Sequence, residues 1–358
     1  MKLISSVCVC VVFTFILLLT GCSKPFAENV PNVDMLQQTP DALLGGTHKA
    51  ICYSGFRSGQ HPDLGKGAKF PSEAEILEDM QILTRDNNFN LIRVYTADEG
   101  IEPTLKVIRD NNIDMKVMLG AWIDAEIDNH KYCHWLDAPQ PQEELDAGPA
   151  ANMAEIEDTI RLANEYDDIV IAVSVGNESM VYWSDHKVEL DTMISYIRKV
   201  KANVKQPVTV DDYFTAWLEH GGKLARELDF ITVHTYPLWA DKDIEEGMSF
   251  TIESLLMVKR ELPDYNMVIG EIGWATIGTE FGEWASEEKQ ERFYHEIMDW
   301  AKTKNFTTFF FEAFDEDWKG NNADLRGDPM GAEKHWGIFT VDRKPKKVMY
   351  DLYPDLKP

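Results

Sequence analysis

Along this chain, short apolar runs rich in β-branched and aromatic residues alternate with longer stretches whose apolar residues recur at helical spacing. The strand-like runs fall at 49–53, 90–95, 114–119, 169–175, 207–210, 230–234, 266–270 and 307–311. Helix-like segments lie between them at 72–87, 103–111, 151–166, 187–202, 222–228, 252–262 and 287–304. The first of these opens on a capping box, Ser72 with Glu75. Such alternation predicts parallel βαβ units. Eight of them over 46–358 predict the α/β class and a single catalytic domain built as a (β/α)8 TIM barrel. An open Rossmann-type sheet would want a glycine-rich turn after the first strand. Ser54-Gly55-Phe56-Arg57-Ser58-Gly59 lacks that fingerprint.

The pattern ahead of the barrel is different. Met1-Lys2 precedes an apolar run from Val7 to Leu19, and Leu19-Thr20-Gly21-Cys22 has the small residues of a lipoprotein processing site. The run is too short and wrongly flanked for a dependable membrane span. Residues 1–21 are therefore expected to be a lipoprotein signal peptide, with Cys22 the lipidated first residue of the mature chain. An ordinary secretory signal cleaved nearby is the alternative. Ser23, where an Asp would signal inner-membrane retention, points to an outer-membrane lipoprotein of the cell envelope, facing the periplasm or the cell surface. Residues 22–45 lack periodicity and read as a flexible tether. With Cys8 and Cys10 lost with the signal, Cys52 and Cys133 remain, and two idle thiols are expected rather than a disulfide framework.

Composition narrows the partners. The chain is 44% apolar and 11% aromatic, enough for one large core. A net charge of −26 excludes a phosphate-backbone binder, which needs a basic surface, but admits a neutral polymer. Nucleic acid is thus not an expected partner, the membrane enters only through the lipid anchor, and a monomer is expected.

Two of the predicted strands end in a glutamate. The run from Ile169 to Val175 leads into Gly176-Asn177-Glu178, and Met267-Val268-Ile269-Gly270 leads into Glu271. In a barrel, catalytic groups sit at the C-terminal ends of strands. Glycosidic hydrolysis needs such a pair: one carboxylic acid to protonate the leaving oxygen, and one carboxylate to attack or to activate water. Each glutamate alone could be a salt-bridged strand-end residue; two together, with Asn177 before one and Gly273-Trp274 after the other, point to catalysis. Asn177-Glu178-Ser179 also matches a glycosylation sequon, but a strand-end site is the wrong context for it.

At this point the chain resembles glycoside hydrolase family 17, the retaining β-1,3-glucanases and glucanosyltransferases of clan A. The matching pieces are Leu91-Ile92-Arg93-Val94-Tyr95, Val175-Gly176-Asn177-Glu178, Val233-His234-Thr235-Tyr236-Pro237 and Gly270-Glu271-Ile272-Gly273-Trp274. Phe311-Glu312-Ala313-Phe314-Asp315-Glu316, then Trp318-Lys319, and Lys334-His335-Trp336-Gly337 complete the set. The resemblance implies a retaining endo-β-1,3-glucanase acting on laminarin-like glucan, with Glu178 as acid/base and Glu271 as nucleophile, and no cofactor. It also implies that Asn177 holds the sugar 2-hydroxyl. The last two pieces resemble the fungal and bacterial branch more than the plant enzymes, and strand seven ends Glu271-Ile272-Gly273-Trp274-Ala275 where plant members usually have Glu-Thr-Gly-Trp-Pro. The long loop after strand three, with Trp122, Tyr132 and Trp135, leaves the subsites open.

Other residues are candidates for the same pocket. Tyr236 is expected either to orient the nucleophile or to be a core tyrosine. Arg93 and Tyr95 are expected to support the pair by hydrogen bonds, although Arg93 also suits a structural ion pair. Glu312 faces either the barrel mouth or a buried cation, and with Trp318 and Lys319 close behind, a sugar contact is the expected role. Trp274 and Trp336 are candidates for stacking on sugar or for packing. Three further readings fail. Asp315-x-Asp317-x-Lys319-Gly320 starts like a calcium loop but has Arg326 at its twelfth position. His130, Cys133 and His134 lack a fourth zinc ligand. No Gly-x-Ser-x-Gly elbow supports an esterase. A transglycosylase on the same glutamates remains an alternative, as does a non-catalytic glucan-binding lipoprotein.

Overall fold

Eight short strands close on one another in sequence order as a parallel barrel. They are β1 (Lys49–Cys52), β2 (Leu91–Arg93), β3 (Lys116–Ala121), β4 (Val170–Asn177), β5 (Val208–Tyr213), β6 (Ile231–His234), β7 (Met267–Gly273) and β8 (Thr308–Phe311). This computed structural model describes residues 33–46, 48–62, 67–98, 100–320 and 328–357. The expected signal peptide, Cys22 and the first part of the expected tether lie outside the described residues.

Among the described residues, seven α-helices alternate with the strands: α1 (Glu73–Thr84), α2 (Glu102–Asp110), α3 (Gln142–Glu165), α4 (Leu190–Lys201), α5 (Phe214–Leu224), α6 (Ile244–Glu261) and α7 (Glu287–Lys304). After β8, the described residues form 3-10 turns, of which Lys347–Met349 packs beside α7. The capping box at the head of α1 is formed, Ser72 and Glu75 each accepting from the other's backbone N–H. The apolar runs are buried on both faces because each strand lies between the barrel interior and a ring of helices.

Two boundaries differ from expectation for physical reasons. Helix α3 begins nine residues before the expected Ala151, running through Gly148 and Pro149. Proline and glycine read as breakers, but here Gly148 lets the helix approach Ala125, whose carbonyl oxygen would lie 2.3 Å from an added Cβ. Strand β5 continues past Val210 through Asp211 and Asp212. Two carboxylates read as a strand end, yet both are buried, because each has partners inside the barrel.

The described part of the expected tether is folded. From Val33 the chain folds against the lower end of the barrel, where Gln38 is buried and completes the start of β7 as an edge strand would. Its amide Nε2 donates to the Met267 carbonyl at 2.9 Å, and its Oε1 accepts the Met267 N–H at 2.7 Å. Asn305 Nδ2 donates to the Gln38 carbonyl at 2.7 Å. Cys52 and Cys133 are buried free thiols.

Gln38→Ala removes two buried hydrogen bonds and leaves both Met267 backbone groups unpaired. It is expected to lower the unfolding free energy by about 2 kcal/mol while leaving the activity of the folded protein unchanged; chemical denaturation at constant slope and an assay below the transition check both.

Candidate active site

The upper ends of β4 and β7 depart from regular pairing, and the departures aim their side chains. In an unbroken strand successive residues point to opposite faces, so Asn177 and Glu178 could not share one site. The β4–β5 register shifts between Ser174 and Asn177. Gly176 has a φ of 85° and Glu178 a φ of 52°, the left-handed region that a non-glycine residue seldom adopts. Glu178 is held there by its N–H, which donates to the Asp211 carbonyl at 2.9 Å. Strand β7 shifts register against β6 between Val233 and His234 and against β8 between Ile269 and Ile272, on either side of Glu271. Irregularities of this kind re-aim side chains at barrel rims.

Arg93, at the end of β2, ties these strands together. It is fully buried, and its guanidinium donates through Nε to Asp211 Oδ2 at 2.5 Å, through Nη1 to Glu271 Oε1 at 2.5 Å and through Nη2 to Asn177 Oδ1 at 2.6 Å. The last bond fixes which way the Asn177 amide points: its oxygen faces the arginine, so its NH2 is left to donate elsewhere. Tyr236 donates to Glu271 Oε2 at 2.6 Å. His234 Nδ1 lies 2.9 Å from Glu178 Oε1 and 3.6 Å from Glu271 Oε2. One carboxylate oxygen of each glutamate falls within 4.8 Å of the other.

These contacts make the two glutamates unlike. Burial pushes the Glu271 carboxyl up, but the charges of His234 and Arg93 and the hydrogen bonds from Tyr236 and Arg93 outweigh it and hold the group at about 2. Burial pulls the His234 imidazole down, and the two carboxylates lift it above its ordinary value. The Glu178 carboxylate meets His234, and its side chain is more exposed than that of Glu271, 16% against 7%. Glu271 is thus a fixed anion, and Glu178 faces the mouth.

Arg93, Asn177, Glu178, Tyr236 and Glu271 therefore converge. Tyr95 lies beside them, its ring 4.5 Å from the Arg93 guanidinium carbon. The remaining candidates do otherwise. Trp274 and Trp336 are fully buried and pack rather than offer a face to sugar. Trp274 donates to the Trp284 carbonyl and stacks on Phe293 of α7, while Trp336 backs Tyr236 and Phe311 with ring centres 5.2 and 6.0 Å away. Glu312 faces a buried cation: Lys319 Nζ lies 2.5 Å from it and 2.8 Å from Glu316. Lys319 thus supplies the counter-charge that two carboxylates in the interior demand, with Glu312 itself buried and Lys319 partly exposed. Trp318 is half-buried, bonded to Glu316 at 3.1 Å.

Three residues escaped sequence reasoning. Asp211 was hidden by the early end assigned to β5. His234 stands two residues before Tyr236, the spacing that puts both on one face of a strand, and that signal was available. His186 came from a loop with no pattern; its Nε2 lies 2.6 Å from the Asn177 carbonyl and its Nδ1 2.6 Å from Asp185.

Known proteins resemble this chain over most of its length. Residues 50–337 match the model of the BtgE/BtgC glycoside hydrolase domain. A glucan 1,3-beta-glucosidase of Schizosaccharomyces pombe is 30% identical over 270 residues, 70% of this chain and 75% of that protein. A glucan 1,3-beta-glucosidase of Arthroderma benhamiae is 26% identical over 71% of this chain and 78% of its own length. Among solved structures, an endo-laminarinase from Formosa Hel1_33_131 superposes with a TM-score of 0.74 at 28% identity, covering 89% of both chains. The chain belongs to the BtgE/BtgC glycoside hydrolases, within glycoside hydrolase family 17.

Proposed function

We propose that this enzyme is a retaining endo-β-1,3-glucanase in which Glu271 attacks the anomeric carbon and Glu178 is the acid/base. The observation that carries the reading is the closeness of the two carboxylates, an oxygen of each lying within 4.8 Å of the other and both within 3.6 Å of His234 Nδ1. Retaining glycosidases hold the pair about 5–5.5 Å apart, whereas inverting ones leave room for water at about 6.5–9.5 Å. The different environments assign the roles. Glu271, held ionised by Arg93, His234 and Tyr236, forms the bond to carbon as the glycosidic bond breaks. Glu178 gives its proton to the departing oxygen, then takes one from water as that water attacks the same carbon and releases Glu271. Asn177, its NH2 turned away from Arg93, donates to the sugar 2-hydroxyl, where a hydrogen bond strengthens in the transition state. The β-1,3-glucan specificity is supported by the endo-laminarinase likeness and by the two glucan 1,3-beta-glucosidases, and internal cleavage by the endo-laminarinase likeness.

We also propose that the chain is a cell-envelope lipoprotein anchored through Cys22, on the strength of Leu19-Thr20-Gly21-Cys22 and Ser23. In a bacterial host, Cys22→Ser is expected to prevent lipid labelling and to move the enzyme from the membrane to the soluble fraction. Unchanged labelling would refute the anchor.

Linear β-1,3-gluco-oligosaccharides should be cut internally by wild-type enzyme, with β-anomers released first. Glu271→Ala and Glu178→Ala should each lose at least about a thousandfold in kcat. Azide with an activated aryl β-glycoside should then yield the α-glycosyl azide from Glu271→Ala and the β-glycosyl azide from Glu178→Ala. The opposite pairing would exchange the roles, and α-anomers from wild type would refute retention.

Tyr236→Phe removes one of the hydrogen bonds that keep Glu271 charged. Because the Glu271 carboxyl lies below its ordinary value, it loses charge only as pH falls through about 2; without the tyrosine that fall starts at higher pH. The acidic limb of kcat/KM is expected to move upward in the variant, and an unmoved limb would sink this role.

A further inference from the structure

The loops after β3 and β4 are sewn into one body beside Glu178. Asn129, itself buried, donates through Nδ2 to the carbonyls of Tyr182 and Ser184 at 2.9 and 2.7 Å. Gln140 Nε2 donates to the Asp185 carbonyl at 2.9 Å, and the Glu126 N–H to the Lys187 carbonyl at 3.1 Å. The joined loops carry a row of half-buried rings. Trp135 lies 5.5 Å from Trp183, and Trp183 lies 6.0 Å from Tyr213 at the end of β5. The indole N–H of Trp135 is fixed on Asp185 at 3.0 Å, and Asp185 holds His186, which reaches the Asn177 carbonyl. Tyr213 stands two residues beyond Asp211, whose carbonyl takes the Glu178 N–H. The rings, tilted about 60° to one another, are thus tied to the acid/base at both ends, through Tyr213 beside Asp211 and through the Trp135–Asp185–His186 chain to Asn177.

Glu178 must touch the oxygen that leaves, so the sugars on the leaving side of the scissile bond lie on its flank of the cleft. We propose that Trp135 and Trp183, with Tyr213, form the platform that holds the departing, reducing-end part of the glucan chain, and the incoming sugar when a second chain replaces water. This rests on the assignment of Glu178 as acid. Rigid rings bind with little loss of conformational freedom, and their flat apolar faces suit the C–H faces of neutral glucosyl rings. A second chain held on the same shelf after the first departs is placed to attack the glycosyl-enzyme through its own hydroxyl. That step forms a new C–O bond at the anomeric carbon, breaks the bond to Glu271 and passes the hydroxyl proton to Glu178, so it balances without another reactant.

The test compares two substrates in wild type, Trp135→Ala, Trp183→Ala and Trp183→Phe. One is laminarihexaose, which fills both sides of the cut. The other is an aryl β-laminaribioside, whose leaving group is a phenol and needs no sugar platform. The alanine variants should lose about tenfold in kcat/KM on the hexaose, stay within about twofold on the aryl glycoside, and make fewer products longer than the hexaose. Trp183→Phe should recover part of the loss. Because the aryl substrate reports the folded, chemically competent site, equal losses on both substrates would make the rings structural and overturn the platform. So would unchanged rates on both. Wild type inactive on both substrates would instead remove the proposed activity, and the platform with it.

Discussion

One buried guanidinium governs this molecule. Placing Arg93 out of water costs several kcal/mol unless charges and acceptors meet it, and its partners come from three other strands: Asn177 of β4, Asp211 of β5 and Glu271 of β7. Those strands reach Arg93 only when the barrel is closed. Closure and assembly of the site are for that reason one event. The same bonds orient Asn177, hold Glu271 as an anion, and keep Asp211 where its backbone can support Glu178 in the left-handed region. Loss of the arginine would leave two buried carboxylates without their cation, so its structural and functional roles cannot be separated by truncation alone.

The strands were legible because a parallel barrel buries both faces of each one, leaving continuous apolar runs that need no periodicity to be seen. The glutamates were legible because each interrupts the pattern at a strand end. What was hidden is what partner formation disguises. Asp211 and Asp212 look like solvent-facing residues until Arg93 and the N–H groups of Met180 and Tyr213 are placed against them. Trp274 and Trp336 look like sugar platforms in a hydrolase, but indole serves packing as readily, and only the third dimension shows a ring with no free face. Glu312 and Lys319 were recognised as neighbours in the chain. Their mutual neutralisation is a property of the turn after β8, which no local pattern reports.

The charge of the mouth bears on the substrate. Burial and the nearby Glu178 push the Asp212 carboxyl up to about 7. Burial likewise raises Glu333 to about 7; Lys319 works against this, while Glu271, Glu280 and Glu178 add to it. Glu312 is driven well above the carboxylate range by burial, against the pull of Lys319. The fold thus handles its crowd of carboxyls in two ways, by pairing some with Arg93 and Lys319 and by raising others, such as Asp212 and Glu333, where burial and neighbouring carboxylates outweigh the pull of His234 or Lys319. A sugar bearing its own carboxylate or sulfate would add negative charge where the site already sheds it. A neutral glucan adds none, and its hydroxyls can both donate and accept. The electrostatics of the site and the net charge of −26 therefore favour the same class of substrate, for the same reason.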